Sequence, residues 1–399
     1  VQMGLSFELS PEQAAIRDAT REFASQVVAP QAADWDRSEA FPYPVVAQMA
    51  ELGLFGLPYP ESVGGAGADF VSYLVALEEV ARADAALAIT MEAAVSLGIA
   101  PIFHYGTEEQ KQRYLPDLCA GRKLWAFGLT EPEAGSDAGG TKTKAQRDGD
   151  DWLIDGTKCF ITNAGTDISA GVTITALTAA EGGREQVTAF LVERGAPGYE
   201  LGPPYRKLGW HASDTRELNF TQCGVPSANV LGKEGGGLGQ FFKTLEAGRV
   251  AIAALAVGVG QACLDASLRY SQQRRQFGRA ISQFQATQMK LADMDTQIEL
   301  SRLMVWRAGS LIDLGQTPGK FAAMAKVQAS ETATWCANQA VQIHGGAGFM
   351  EDLPVARYYR DVKINEIGEG TSEIQRLMIA SHLLGLGGSV SRLMDQDRS

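Results

Sequence analysis

The chain has 399 residues, 45% hydrophobic and 21% charged, with a formal net charge of −12. That length supports two or three domains around a sizeable core, and the composition excludes intrinsic disorder. The acidic balance excludes a protein that tracks a nucleic-acid backbone, although a local basic groove can still hold a small phosphate.

No charged and apolar leader with a cleavage site opens the chain, and no apolar run is read as membrane-length, so a cytoplasmic protein without a membrane span is expected. The stretch "VAIAALAVGVGQACL" at 250–264 is Ala/Gly-rich and preceded by Arg249, which predicts a buried helix. Cys119, Cys159, Cys223, Cys263 and Cys336 form no C-x-x-C pair and sit in apolar surroundings, as reduced core cysteines do. The four histidines, His104, His211, His344 and His382, have no metal-pair spacing, and no metal is expected.

In chain order, Ser10, Pro11 and Glu12 open a first helix that stops before Pro30 or kinks there. Helical patterns follow at 43–54, 68–82, 86–104 and 107–119, the last with a Thr107/Gln110 capping box. Residues 1–123 are therefore expected to form an N-terminal all-α domain. From 124 to 235 the period changes to short runs rich in Val, Ile, Thr and aromatics, such as "GVTITALTA" and "QVTAFLVE", divided by "DGD", "EGG" and "RGAPG" turns. With no helices between them, these runs predict a middle antiparallel β-domain, a barrel or sandwich. Residues 236–399 return to helix at 237–273, 284–313, 318–343 and 372–385, long enough for a C-terminal four-helix bundle, with a frayed end around "DQDRS".

Four stretches depart from plain packing. In "FGLTEPEAGSD" (127–137), Thr130 and Ser136 offer hydroxyls and Gly135 permits close backbone approach; a surface turn explains the same residues. "QIHGGAGF" (342–349) can present backbone N–H groups to a phosphate, or simply end a helix; it has neither P-loop nor Rossmann spacing. "YSQQRRQFGRAI" (270–281) brings arginines and Phe277, suited to a pyrophosphate and a flat heterocycle, or to a helix end whose bases complement its dipole. In "EIGEGTSEIQR", Glu369 lies between Gly368 and Gly370 at a break between helices, with Thr371 or Ser372 able to cap the next helix and Glu373 in its first turn. A solvated carboxylate at a capped junction is one reading. A general base whose pKa rises when apolar substrate excludes water is the other, and the two are compatible.

Together "LTEPEAGSD", "KCFITNAG", "RRQFG", "QIHGGAGF" and "EGTSEIQR", in this order and across residues 7–386, resemble the acyl-CoA dehydrogenase family. The resemblance implies an FAD-dependent αβ-dehydrogenation of an acyl-CoA to the trans-2-enoyl-CoA, with electrons passed to an electron-transfer flavoprotein, and a homotetramer built as a pair of dimers. It places Phe127, Leu129, Thr130, Gly135 and Ser136 along FAD, with Ser136 also near substrate, and Phe160 and Thr162 against the isoalloxazine; Phe160 stands where Trp is common. It assigns Arg274, Gln276, Phe277, Gln285, Gln342, Gly345 and Gly346 to an adenine and pyrophosphate side completed across a subunit interface, and Thr371, Ser372 and Glu373 to further FAD contacts. Glu246, which replaces a common Asp, and Arg249 look like the pair near the CoA substrate.

Glu369 matches the family's catalytic base, with Gly370 beside the substrate; where one branch carries the base before the arginine, this chain has Gly248. The family pattern also makes the Glu369 N–H and a ribityl hydroxyl of FAD the donors to the thioester oxygen. Gly368, where an aromatic often precedes the base, favours a short or branched acyl group. Residues 86–98 fall on the acyl pocket, where Met91 either shortens the slot or fills core. An acyl-CoA oxidase on the same fold and a non-catalytic binding member are the competing functions.

Overall fold

The computed structural model describes residues 7–180, 184–387 and 390. The expected frayed C-terminus, from Asp395 on, and the "EGG" turn at 181–183 lie outside the described residues.

The N-terminal layer is helical: α1 (Pro11–Phe23), α2 (Ala32–Ser38), α3 (Tyr43–Glu51), α4 (Phe70–Ala83), α5 (Ala85–Glu92), α6 (Ala100–Tyr105) and α7 (Glu108–Cys119). The expected capping box forms at Thr107/Gln110, and a second one, at Ser10/Gln13, opens α1. Asp84 starts α5 by accepting from Leu87 N–H. A single rod at 86–104 is replaced by α5, a π-helical stretch at Ala93–Ile99, and α6. That wider turn seats Gly98 against the next layer, where a β-carbon would lie 2.3 Å from the Trp125 carbonyl oxygen.

The middle layer is one eight-stranded sheet in the order β6-β7-β3-β2-β4-β5-β8, with β1 also paired to β4. Its strands are β1 (Leu124–Gly128), β2 (Lys144–Asp148), β3 (Asp151–Thr162), β4 (Ser169–Ala179), β5 (Glu185–Glu193), β6 (Tyr199–Pro204), β7 (Thr215–Val225) and β8 (Val230–Leu231). Most pairs are antiparallel, as the turn-separated runs predict. The β1–β4 and β2–β4 pairs are parallel, a departure that arises because other strands intervene in the chain between the partners.

The C-terminal layer carries α8 (Gly237–Gln273), a two-stranded ribbon of β9 (Arg275–Gln276) and β10 (Arg279–Ala280), α9 (Gln285–Asp313), α10 (Gly319–His344), α11 (Pro354–Asp361) and α12 (Ser372–Leu383). The helix bounds agree with the periodicity within about two residues. The short α11 is an addition, opened by Pro354 at its first turn.

Two helical segments, Ala85–Tyr105 and Gly237–Gln273, are after all long and apolar enough to cross a membrane by length and composition. In each, 89% of the apolar window is buried inside the protein, because the two lie at the centre of one core cluster shared by both helical layers. All five cysteines are free and buried. Among the described residues no cluster of metal-ligating side chains forms.

Ion pairs and a buried carboxyl's hydrogen bond lock the layers together. Arg357 donates to Asp84 at 3.0 Å, Arg302 to Glu78 at 2.8 Å, and Asp361 accepts the Trp210 N–H at 2.7 Å.

Candidate active site

Glu369 occupies the expected break between helices, in a conformation few side chains adopt. Its φ is 56°, followed by Gly370 at φ 93°. A non-glycine residue in the left-handed region stores strain, which persists only where its surroundings impose it. Here they do. Lys326, buried in the middle of α10, donates from Nζ to the Gly370 carbonyl at 2.8 Å, and Gln375 Nε2 donates to the Glu369 and Gly370 carbonyls at 3.1 and 3.0 Å. Thr371, not Ser372, caps α12, its Oγ1 accepting from Ile374 N–H at 3.2 Å; Ser372 is buried and Glu373 exposed.

The Glu369 carboxyl turns inward. Its Oε2 is buried without a hydrogen-bond donor, and burial pushes its pKa up to about 7, against the opposing pull of Glu92, Lys326 and Arg249. A carboxylate made more basic by desolvation, near neutrality, is the state a general base needs. Arg249 is buried on α8 with Nε 3.5 Å from the Glu369 carbonyl, while Glu246 is held by Lys243 at 2.7 Å. Among the described residues the Glu369 N–H donates to no protein acceptor.

Two charged groups here escaped sequence reasoning. Glu92, the last residue of α5, is fully buried and faces Glu369. Lys326 looked like an ordinary lysine in an Ala-rich helix. The only signal for either is a charged residue inside a segment whose neighbours are all core. Met91, beside Glu92, belongs to the hydrophobic core.

The Phe127–Ser136 stretch leaves β1 and meets α8 at Phe241. Phe127 is half-buried and stacks on Phe241 of α8, ring centroids 4.1 Å apart, while Gly135 and Ser136 are exposed and a β-carbon at 135 would meet nothing within 4 Å. A buried pair missed by the sequence reading pins this loop: Lys158 Nζ donates to Glu131 Oε1 at 2.7 Å and to the Leu129 carbonyl at 3.2 Å. Burial would raise the Glu131 pKa, but the Lys158 ammonium and neighbouring donors hold it down to about 2. Two residues on, Phe160 sits at an irregularity between β3 and β7 with φ 61° and 66% of its surface exposed. Thr162 ends β3, and Asn163 Nδ2 donates to the Thr90 carbonyl on α5 at 2.9 Å, tying this edge to the helix that carries Glu92.

The remaining candidates form a second region. α8 ends at Gln273, so "RRQFG" is not a helix end; Arg274 caps the helix and the rest is a hairpin. Phe277 at φ 50° and Gly278 at φ 80° are the two left-handed residues of a type I′ turn. That turn lifts Phe277 out, 92% exposed. Gln285, the first residue of α9, is exposed nearby in sequence. At the end of α10, Gln342 is exposed and Gly345 takes φ 60°, ψ −139°, a combination essentially restricted to glycine. Tyr270 stacks on His344 at 4.2 Å, which brings these two stretches to one end of the bundle. Along α8 that end lies roughly 33 Å from Gly248, further than one dinucleotide reaches. The structure thus unites Arg274–Gln276–Phe277 with Gln342–Gly346 at one end of the bundle, and Glu369 with Arg249 in the first half of α8.

Exposed aromatics held in strained turns, glycines with open space above them, and a buried arginine with one long contact fit a flat, anionic cofactor. The chain matches the acyl-CoA dehydrogenase N-terminal domain over 10–122, the middle domain over 126–223 and the C-terminal domain over 235–384. It is 45% identical over 378 residues to an acyl-CoA dehydrogenase of Bacillus subtilis, covering 94% of this chain and 99% of that one. It is 43% identical over 379 residues to the mitochondrial short-chain specific acyl-CoA dehydrogenase of Mus musculus, covering 95% and 92%. The solved structure of butyryl-CoA dehydrogenase from Megasphaera elsdenii superposes with a TM-score of 0.92 at 40% identity, covering 95% of this chain and 100% of that one. With its helical, β and helical layers each matched, the chain belongs to the acyl-CoA dehydrogenase family.

Proposed function

We propose that Glu369 is the base that removes the substrate α-proton in this FAD-dependent acyl-CoA dehydrogenase, and that the acyl group is short. The enzyme dehydrogenates an acyl-CoA and passes the electrons to an electron-transfer flavoprotein. Bound FAD supplies the acceptor for the β-hydride. The observation that carries the assignment of the base is the inward, desolvated carboxyl with its pKa near 7.

The chain's own residues prepare the proton transfer. The strained Glu369–Gly370 segment, tied to Lys326 and Gln375, holds the carboxyl at one position, which lowers the entropy lost on reaching the transition state. The same strain leaves the Glu369 N–H without a protein acceptor, able to donate to the thioester oxygen where enolate charge develops. Arg249, with Glu246 nearby on α8, faces the CoA side, and Ser136 and Gly370 approach the substrate. Thr371, Ser372 and Glu373 lie beside the cofactor on the helix that the loop enters.

Phe160, Thr162 and the Phe127–Ser136 loop are read as the flavin wall of one subunit. Arg274, Gln276, Phe277, Gln285, Gln342, Gly345 and Gly346 are read as the adenine and pyrophosphate side for a neighbouring subunit's FAD. The length of α8 between Gly248 and the Tyr270–His344 contact supports that division. The assembly is read as a homotetramer built as a dimer of dimers, as the resemblance implies.

A short acyl chain is supported by the butyryl-CoA and short-chain specific relatives and by Gly368. A β-carbon there would meet only the Ile364 carbonyl oxygen at 3.5 Å, so the chain's own packing does not demand glycine and space is left for ligand. The test is anaerobic stopped-flow reduction of the flavin by butyryl-CoA. Glu369→Gln is expected to keep the fold and the FAD while slowing reduction about 10²–10⁴-fold. A parent-like rate in that variant sinks the assignment.

A further inference from the structure

The reading of Glu369 as the base leaves one buried carboxyl without a role. Glu92 has no solvent exposure, and neither of its oxygens receives a hydrogen bond from a donor. It faces Glu369, whose Oε2 is buried and equally without a donor. An ionised carboxylate in an apolar interior costs several kcal/mol unless a cation or donors compensate it. Two facing carboxylates cannot both be ionised without adding repulsion to that cost.

The surroundings decide which carboxyl keeps the proton. On the Glu369 side stand Lys326 of α10 and Arg249 of α8. Among the described residues no cation faces the Glu92 side. The Ser96 hydroxyl one turn on favours the Glu92 charge but falls short of hydrogen-bond geometry and is outweighed by burial; the titratable neighbours from the packed elements are Tyr59 and Tyr73, with Cys119 behind Tyr59. Tyr59 already donates to the Val95 carbonyl at 2.6 Å, and the Tyr73 hydroxyl pairs with Ser96 Oγ at 3.0 Å. The negative charge therefore settles on Glu369, and burial with the facing carboxylate drives the Glu92 pKa well above the carboxylate range.

We propose that Glu92 is a positioning residue, kept as a neutral carboxylic acid whose O–H donates to the Glu369 carboxylate and fixes the rotamer from which that base meets the substrate α-carbon. This rests on Glu369 being the base. The pair begins with one proton. When the α C–H bond breaks, the proton forms a new O–H bond on the Glu369 oxygen facing substrate, the other oxygen keeps accepting from Glu92, and the pair holds two. No further proton carrier is required. Since Glu92 stands in an apolar helix and only the fold brings it to Glu369, the device is a property of this chain's core and not of its glycine-flanked motif.

The experiment compares Glu92→Gln, which retains a donor, with Glu92→Met, which does not, in the FAD-loaded enzyme. The readouts are the pH dependence of flavin reduction by butyryl-CoA and the infrared spectrum of the oxidised enzyme above the midpoint of its acidic limb. In Glu92→Gln the limb is expected to stay close to the parent. In Glu92→Met it moves to higher pH by about one unit, slowing reduction about fivefold at neutral pH, because the carboxylate has lost its donor. The parent spectrum should contain the carbonyl band of a protonated carboxylic acid, retained in Glu369→Gln and lost in Glu92→Gln, as read in the difference between parent and Glu92→Gln, which cancels other buried carboxyls such as Asp361. A limb that falls in both Glu92 variants means Glu92 is ionised, and a limb unmoved in Glu92→Met means it only fills space; either overturns the proposal. Should Glu92→Met fail to fold, absence of the band from that difference still refutes it. The infrared measurement needs no turnover, so it remains decisive even if Glu369→Gln shows that another group is the base.

Discussion

Gly248 leaves open the volume that the Glu369 carboxyl fills. A β-carbon on residue 248 would lie 2.4 Å from Glu369 Oε2 and 3.2 Å from Leu97 Cδ2. The place just before the α8 arginine thus cannot hold a side chain while residue 369 holds its present rotamer. Gly248→Ala should push the carboxyl aside and slow flavin reduction by about 10²-fold, the usual cost of misplacing a reacting group by about 1 Å. FAD retention and thermal unfolding check that the fold survives. A parent-like reduction rate would mean that the carboxyl works from another rotamer.

The pKa near 7 at Glu369 sets a pH dependence with a definite sign. The base works only when ionised, and burial raises its pKa, so protonation disables it at a higher pH than for a solvated carboxylate. At substrate well below saturation, where the free enzyme's base is read, flavin reduction should rise with pH through about 7 and level off above. A flat profile across that range, or a midpoint at the ordinary carboxylate value, would place the catalytic carboxyl in water.

Lys326 should act on both the loop and the base. Its Nζ donates to the Gly370 carbonyl at 2.8 Å, and its charge faces Glu369. Lys326→Met removes a hydrogen bond from a charged donor, and about 1.5–3 kcal/mol of stability should go with it. Gln375 still holds the loop. Because a cation that favours the ionised carboxylate is gone, the acidic limb of flavin reduction should move to higher pH. A limb that stays or moves down would show that Lys326 is only structural.

Much of this was legible from sequence because it is local. The Thr107/Gln110 capping box, the bounds of α8 and the glycine stop at Gly345 depend on neighbours within a few residues. Glu369 was legible because two glycines flank it. What escaped depends on contacts made across the chain. Glu92 gains meaning only when α5 meets the loop before α12, and Lys158 only when β3 passes Glu131. Nor does any pattern announce that Phe160 leaves the strand conformation at an irregular pairing, since aromatic residues ordinarily favour strands. The parallel β1–β4 pair was hidden for the same reason: strand period reports faces, not partners.

Phe277 offers the test of the shared cofactor site. It stands 92% exposed at the tip of a two-residue turn, so its removal costs the isolated chain almost nothing; substitutions of this kind on a surface fall within about 0.5 kcal/mol. If a neighbouring subunit's FAD covers this ring, Phe277→Ala loses buried aromatic area only in the assembled holoenzyme. FAD should then dissociate more readily and the oligomer should weaken, while unfolding of the flavin-free chain stays unchanged. Equilibrium dialysis of FAD and sedimentation velocity with and without cofactor measure both. Unchanged FAD retention together with an unchanged oligomer would remove this hairpin from the cofactor site and, with it, the argument that each FAD is held by two chains.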